Sequence, residues 1–223
     1  MNLPLWPPFY DKVARALVSF ADKRDELFDR ARGAAAQEPL MGYLKLTNAE
    51  FWEKRNYAID PFTLMGVFNR PVTPAHRAAL AKKIALLLDI PSPEPPAAFR
   101  GAPTVDPRHA IFEGPETLWE LALAARGEDP LSEEFGRLWD RAREFKGNGA
   151  SMLSIGLFWL NSEVFMPMDK MADPYLAERY GISAPHGKCD GREYAAFARE
   201  VLEKASGTPL PAITLAACER AKE

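Results

Sequence analysis

Apolar residues recur every three or four positions along most of the chain, which is the spacing of one buried face of an α-helix. The first such segment predicts a long amphipathic helix that ends near Gly33 and Pro39. Its apolar positions are Phe9, Val13, Leu17, Phe20, Leu27 and Phe28. No long segment alternates apolar and polar residues as a half-buried strand would. The pattern therefore predicts a mainly α protein of about eight short helices.

Capping residues mark where several of the later helices begin. In the segment 60–90, Asp60 suits an N-cap and Pro61 suits the first helical position, and Thr73 begins the next helix in the same way. Residues 90–107 include six prolines and predict a crossing loop. Further helices are predicted at Thr117–Arg126, Ser132–Phe145, Met152–Leu160, Asp173–Tyr180 and Glu193–Ala205. We interpret residues 1–223 as a single helical domain.

The composition narrows the class of protein. Hydrophobic residues make up 47% of the chain and the formal net charge is −3, which excludes intrinsic disorder. Only two cysteines are present, Cys189 and Cys218, which excludes a disulfide-stapled secreted domain. The proline-rich start has no apolar core of a signal peptide, and no run of about 18 apolar residues occurs. We expect a cytoplasmic protein.

Most signatures of metal and cofactor sites are missing from the sequence. The three histidines, His76, His109 and His186, do not pair at helical spacing, and His186 with Cys189 offers only two of the four ligands that zinc needs. The sequence has no phosphate-binding Walker motif, no GxGxxG dinucleotide motif and no GxSxG elbow. We therefore expect no metal and no cofactor.

The segment 145–169 carries the strongest chemical signal. It contains Gly147-Asn148-Gly149 between two predicted helices, and such a turn exposes backbone N–H groups that can hold a phosphate. Positive charge comes from residues just before the turn, which are Arg141, Arg143 and Lys146. A carboxylate, Asp169, follows the second helix. The plainer alternatives are a simple connecting turn and an ordinary N-cap aspartate.

Two matches resemble the helix-hairpin-helix DNA glycosylases of the endonuclease III class. The first is the segment 145–182, in which Phe145-Lys146-Gly147-Asn148-Gly149 and Pro167-Met168-Asp169 follow the family's hairpin and aspartate pattern. The second is Asp60-Pro61-Phe62, which begins a core helix in that family. The resemblance implies a helix-hairpin-helix glycosylase fold, with Asp169 as the catalytic carboxylate. It also implies DNA-backbone binding by Lys146, Gly147, Asn148, Gly149 and Ser151, and contacts to DNA or the base by Asn69 and Arg70.

The departures from the family pattern indicate which subclass the chain resembles. Bifunctional members carry a lysine where this chain has Ser151, so no lyase step is expected. Members with an iron–sulfur cluster need four cysteines, so no cluster is expected. Lys146 replaces a common proline, and Lys170-Met171 replaces a common Thr-His pair. The resemblance is therefore to a monofunctional glycosylase.

A second resemblance extends over nearly the whole chain. It looks like the N-terminal region of McrB-like ATPases, restriction proteins directed against modified cytosine in DNA, without their motor domain. The matching patterns are WPPFYDK, DPFTLMGVFNR, FRGAP, TLW and LSIGLFWLNSEVFMPMD. This resemblance implies double-stranded DNA with modified bases as the partner, and a role in anti-phage restriction.

Together these observations predict a DNA glycosylase that flips out and excises a modified base, in particular a hydroxymethylated or glucosylated cytosine of phage DNA. Two alternatives remain open. The chain could be a non-catalytic reader of modified DNA in a McrB-like restriction system, with Asp169 structural. It could also be a protein-interaction domain, which would carry an exposed apolar patch instead of a cleft.

Overall fold

The computed structural model of the protein describes residues 3–37, 59–70, 72–91, 94–105, 113–185 and 187–222, with side chains except at 35–37. These residues form ten helices and no strand, which confirms the prediction of a mainly α protein. The helices are α1 Pro7–Val18, α2 Arg24–Gln37, α3 Pro61–Phe68, α4 Pro74–Leu87, α5 Pro115–Arg126, α6 Glu133–Arg143, α7 Ala150–Leu160, α8 Ala172–Tyr180, α9 Gly191–Lys204 and α10 Leu210–Arg220. In this part of the chain, no helix is both long enough and apolar enough to cross a membrane.

The prediction of one long first helix is wrong. The chain turns between α1 and α2, where Phe20 N–H donates to the carbonyl of Leu17 and Lys23 N–H donates to that of Phe20. These bonds to the third preceding residue form the tight turns that separate α1 from α2. Gly33, predicted as a helix end, lies inside α2. Both segments still bury their apolar residues, which is why the periodicity looked continuous.

Helix α10 was missing from the prediction. Most of its residues are buried, including Leu210, Ile213 and Thr214, so polar residues do not mark an outer face. Helical periodicity in a sequence depends on the contrast between an apolar and a polar face, and this helix shows little such contrast. Its addition and the division of the first helix raise the number of helices in the described residues from about eight to ten.

Helices α3 and α7 lie at the centre of the core. Every residue of α3 is buried, and α7 is buried from Leu153 to Leu160. The two helices pack closely because Gly156 has no side chain: a Cβ there would lie 2.3 Å from a ring carbon of Phe62. Helices α1 and α5 also pack against α7. The N-terminus of α7 emerges from this core, so the core fixes where the hairpin before α7 is presented.

A second cluster joins α6, α9 and the segment before Asp169. A Cβ on Gly191 would lie 2.1 Å from the carbonyl oxygen of Gly136, so the two helices meet at glycines. The ring centroids of Trp139 and Tyr194 lie 4.2 Å apart in a stacked arrangement. The Tyr194 hydroxyl donates to the carbonyl of Met166 at 3.0 Å. Helix α9 thereby supports the loop that leads to Asp169.

Candidate functional site

The turn between α6 and α7 forms an exposed hairpin. Gly147 has a φ of +95°, which favours glycine, and Gly149 is the N-cap of α7. A Cβ at either glycine would meet nothing within 4 Å, and Lys146 beside them is exposed. No side chain caps the N-terminus of α7 among the described residues, so Gly149 leaves the first-turn N–H groups of that helix without a side-chain acceptor. This arrangement suits an anion such as a phosphate.

Asn148 lies between the two hairpin glycines, and its side chain turns into the protein. Its side chain is buried, donates to the carbonyls of Glu113 at 2.7 Å and Ala142 at 3.0 Å, and accepts from the N–H of Glu113 at 3.1 Å. Two of these bonds tie the hairpin to the segment before α5, and the third ties it to the end of α6. Asn148 therefore braces the hairpin from within, and binding of the DNA backbone by this residue of the hairpin stays a prediction.

The arginines predicted to add charge beside the hairpin are already engaged. Arg141 pairs with Glu120 at 2.9 Å. The guanidinium of Arg143 donates to the carbonyls of Gly187 and Cys189. Both arginines are bonded to other groups of the protein, and the exposed Lys146 is the cation of the predicted set nearest the hairpin glycines in sequence.

Two serines on the first turns of α7 fix the segment that ends at Asp169. The Ser151 hydroxyl donates to the carbonyl of Met168 at 2.6 Å, and the Ser154 hydroxyl accepts from the N–H of Met168 at 2.9 Å. Met168 is thus held through both of its backbone groups. Since Asp169 is the next residue, these bonds place it beside the first turn of α7. The hairpin and the carboxylate therefore belong to one neighbourhood.

The two carboxylate oxygens of Asp169 have different surroundings. Its Oδ1 accepts from the N–H groups of Met171 and Ala172, each at 2.8 Å, and so caps the start of α8. Burial raises the pKa of the Asp169 carboxyl, while the two N–H donors act in the opposite direction. Within the described residues, no hydrogen bond engages its Oδ2. One carboxylate oxygen is thus available to a ligand.

A cleft of about 230 Å³ opens beside Asp169. One wall is the non-helical segment before α5, another is the start of α8, and the third is α10. The lining residues besides Asp169 are Gly101, Pro103, Thr104, Lys170, Met171, Ala172, Thr214 and Cys218. Sequence reasoning missed the contributions of α10 and of residues 101–104, although the FRGAP pattern covers Gly101 and Pro103.

Asn69 and Arg70, predicted to contact DNA, lie at the end of α3. Asn69 is fully buried, its Nδ2 donates to the carbonyl of Met65 at 2.8 Å, and its Oδ1 accepts from Tyr10 and Arg77. Its side chain is therefore an interior group, and the predicted contact with DNA does not fit. Arg70 is half-buried, and its Nε donates to the carbonyl of Val67 at 3.1 Å.

Other features of the described residues do not point to a second reaction centre. A cavity of about 830 Å³ lies at the far end of α7, beside Leu160 and Pro209, and contains none of the predicted site residues. No group of three or more His, Cys, Asp or Glu side chains in the described residues could hold a metal ion. His109 and His186 lie outside the described residues.

Comparison with known proteins identifies a family for the chain. Residues 6–220 match the family described as a domain of unknown function, DUF8425, and the protein belongs to that family. No curated protein and no solved structure matches the chain.

Proposed function

We propose that this protein is a monofunctional DNA glycosylase that excises a modified base from double-stranded DNA. The observation that carries the proposal is the bond from Ser151 to the carbonyl of Met168. It joins the first turn of the helix after the hairpin to the residue before Asp169. A phosphate-binding turn and a carboxylate beside a cleft are the two parts that base excision needs.

In the proposed mechanism, the N–H groups at the start of α7 and Lys146 hold a backbone phosphate of the DNA. The target nucleotide rotates out of the duplex and its base enters the cleft beside Asp169. A cleft of about 230 Å³ is smaller than the roughly 300–1,000 Å³ of pockets for drug-sized ligands, and it suits a nucleobase.

Asp169 would act on the sugar of the flipped nucleotide. As the bond between C1′ and the base nitrogen breaks, C1′ gains positive charge, and the Asp169 carboxylate stabilises it. Water then adds its hydroxide to C1′ and its remaining proton goes to the departing base. The products are a free base and an abasic site. The carboxylate must be ionised for this role.

The absence of a lyase step follows from Ser151. This residue stands where bifunctional glycosylases carry an amine nucleophile, and a hydroxyl cannot form a Schiff base. Its hydroxyl also donates to the carbonyl of Met168. We accordingly propose hydrolysis without a covalent intermediate, without a metal and without a cofactor.

We further propose modified cytosine as the base and anti-phage defence in the cytoplasm as the role. Both rest on the likeness of the FRGAP and LSIGLFWLNSEVFMPMD patterns to McrB-like restriction proteins. Two residues of FRGAP, Gly101 and Pro103, line the cleft beside Asp169. The part of the sequence that carries this likeness thus includes the wall that would meet the base.

A second candidate function is a non-catalytic reader of modified DNA. One observation favours it: Asp169 already has a structural task, because its Oδ1 accepts from two N–H groups at the start of α8. In this alternative the cleft binds the flipped base, and a partner protein cuts the DNA.

The two candidates differ in what happens to the DNA after binding. The protein is incubated with phage DNA containing hydroxymethylated or glucosylated cytosine and with unmodified DNA, and abasic sites are scored by alkaline cleavage. Asp169→Asn keeps the acceptor that caps α8, and Asp129→Asn, at an exposed position, is the matched control.

A glycosylase produces alkali-labile abasic sites only in modified DNA, and Asp169→Asn abolishes these sites while Asp129→Asn does not. A reader binds modified DNA tightly in all three forms and produces no abasic sites. Equal and weak binding to both DNAs by all three forms would contradict both candidates.

A further inference from the structure

The segment 99–105 is not helical. Side-chain and backbone groups of other elements form hydrogen bonds with its backbone at several positions. The indole N–H of Trp6 donates to the carbonyl of Arg100 and that of Trp159 to the carbonyl of Pro103, each at 3.1 Å. The N–H of Val105 donates to the carbonyl of Asn69 at 2.9 Å. A loop held at this many points is a fixed element.

Gly101 sets how closely this segment approaches α10. It has a φ of +77°, and a Cβ there would lie 2.7 Å from the Cα of Leu215. Only glycine permits both the conformation and the contact. The same cleft is lined by Gly101 and Pro103 of this segment, by Thr214 and Cys218 of α10, and by Asp169.

Arg77 lies beneath the same segment and is 6% exposed. Its guanidinium carbon stands 4.5 Å from the ring centroid of Phe99, and its Nη1 reaches the carbonyl of Ala102 at 3.5 Å. Its Nη2 donates to the hydroxyl of Tyr10 at 2.8 Å and to Asn69.

The surroundings of Arg77 are unusual for a buried cation. Within the described residues it forms no ion pair with a carboxylate, and its Nε has no hydrogen-bond partner. Burying a charge without a counter-ion opposes folding. The hydrogen bonds of Arg77 to Tyr10, Asn69 and the carbonyl of Ala102 offset this cost, so the guanidinium links the core to the segment 99–105.

We propose that Arg77 is a positioning residue that holds the segment 99–105 as one wall of the cleft that Asp169 also lines. Its planar fork reaches the carbonyl of Ala102 and the oxygens of Tyr10 and Asn69 together, and a lysine cannot span these groups. Its part in base release rests on the proposed function. Its hold on the wall does not, and can be measured separately.

Cys218 reports the position of the wall without any DNA. Its thiol is half-buried at the cleft, against the backbone of Gly101, and burial raises its pKa. Release of the segment 99–105 would expose this thiol and speed its reaction with a disulfide reagent such as DTNB. Cys189 is 1% exposed and serves as the unreactive internal reference.

The experiment compares wild type with Arg77→Lys, and uses Arg199→Lys as the matched control. Arg199 also donates to a backbone carbonyl, that of Leu131, but is not a residue of the cleft. We expect Arg77→Lys to raise the Cys218 labelling rate roughly tenfold, the change in population that loss of one hydrogen bond produces. Cys189 should stay unlabelled and Arg199→Lys should behave as wild type.

Base release supplies the second readout. For Arg77→Lys, the rate at saturating DNA should fall roughly tenfold, while the DNA concentration for half-maximal rate stays within about twofold. Unchanged Cys218 labelling in Arg77→Lys would overturn the proposal. Base release absent from wild type would refute the glycosylase function, while the labelling result would still decide the role of Arg77.

A second variant covers failure of Arg77→Lys to fold. Trp159→Phe removes the indole donor to Pro103 and keeps an aromatic ring in the core. Faster Cys218 labelling in this variant would support the proposal that side chains of the core hold the segment 99–105 in place. Labelling at the wild-type rate in a folded Trp159→Phe protein would contradict it.

Discussion

Asp60 allows a sharp test of how burial and capping combine in this fold. The residue is fully buried at the start of α3, where its Oδ1 accepts from the N–H groups of Phe62 and Thr63 and its Oδ2 accepts from the Thr63 hydroxyl. Burial raises the pKa of Asp60 from an ordinary 3.8 to about 6, against the opposing effect of these three donors. We predict that Asp60→Asn makes folding less sensitive to pH.

The magnitude follows from the pKa shift. A shift from 3.8 to about 6 corresponds to about 3 kcal/mol, since one pKa unit is worth about 1.36 kcal/mol. The folded state holds the proton more tightly than the unfolded state. The contribution of Asp60 is therefore fully present below pH 3.8 and is lost as the pH rises through 6. Asparagine keeps the acceptor for the two N–H groups and does not titrate.

The assay is urea unfolding of wild type and Asp60→Asn between about pH 4 and pH 8. The free energy of unfolding of the variant, relative to that of wild type, should rise by roughly 2.5 kcal/mol over this range. Asp190→Asn is the matched control, because Asp190 is an exposed N-cap, and its difference should stay within about 0.5 kcal/mol. A constant difference for Asp60→Asn across the range would refute the reasoning.

Three further predictions concern packing, the hairpin and the reaction. Gly156→Ala would place a Cβ 2.3 Å from the Phe62 ring, and we expect it to lower the free energy of unfolding, measured in urea, by about 1–3 kcal/mol. Gly33→Ala is the control, because its Cβ would meet nothing within 4 Å. We expect this change inside α2 to raise the free energy of unfolding by about 0.5–1 kcal/mol. Asn148→Ala leaves buried backbone groups without partners and should cost about 3 kcal/mol by the same assay; a loss below about 0.5 kcal/mol would contradict the brace. Burial raises the pKa of Asp169 above the ordinary carboxyl value. We therefore expect the rate of single-turnover base release to rise as the pH rises through that pKa. A rate that does not change with pH through the acid range would contradict the requirement that Asp169 be ionised.

Local signals in the sequence predicted the helix starts well. Asp60 accepts from the first-turn N–H groups of α3, and Thr73 accepts from His76 at the start of α4, as their positions before proline indicated. The break after α1 was missed because the turn contains neither glycine nor proline. Helices α1 and α2 each bury their own apolar residues, and the periodic pattern alone does not distinguish two such helices from one continuous helix.

The candidate site was predictable only in part. The glycines of the hairpin and Asp169 stand out in the sequence because their types and spacing resemble the glycosylase pattern. The resemblance implies DNA contacts for Asn69 and Asn148, and only the fold shows that their side chains bond interior carbonyls. The cleft wall brings residues near 101 beside residues near 218, and contacts so distant in sequence leave no local pattern.

The proposed glycosylase function requires Asp169 to support cleavage of the bond between a modified base and its sugar. The most direct measurement is mass spectrometry of the small molecules released when modified phage DNA is mixed with wild type or with Asp169→Asn. We predict that wild type releases free modified base from the modified DNA, and that no free base comes from the variant or from unmodified DNA. Tight binding of modified DNA by both proteins with no free base from either would contradict it.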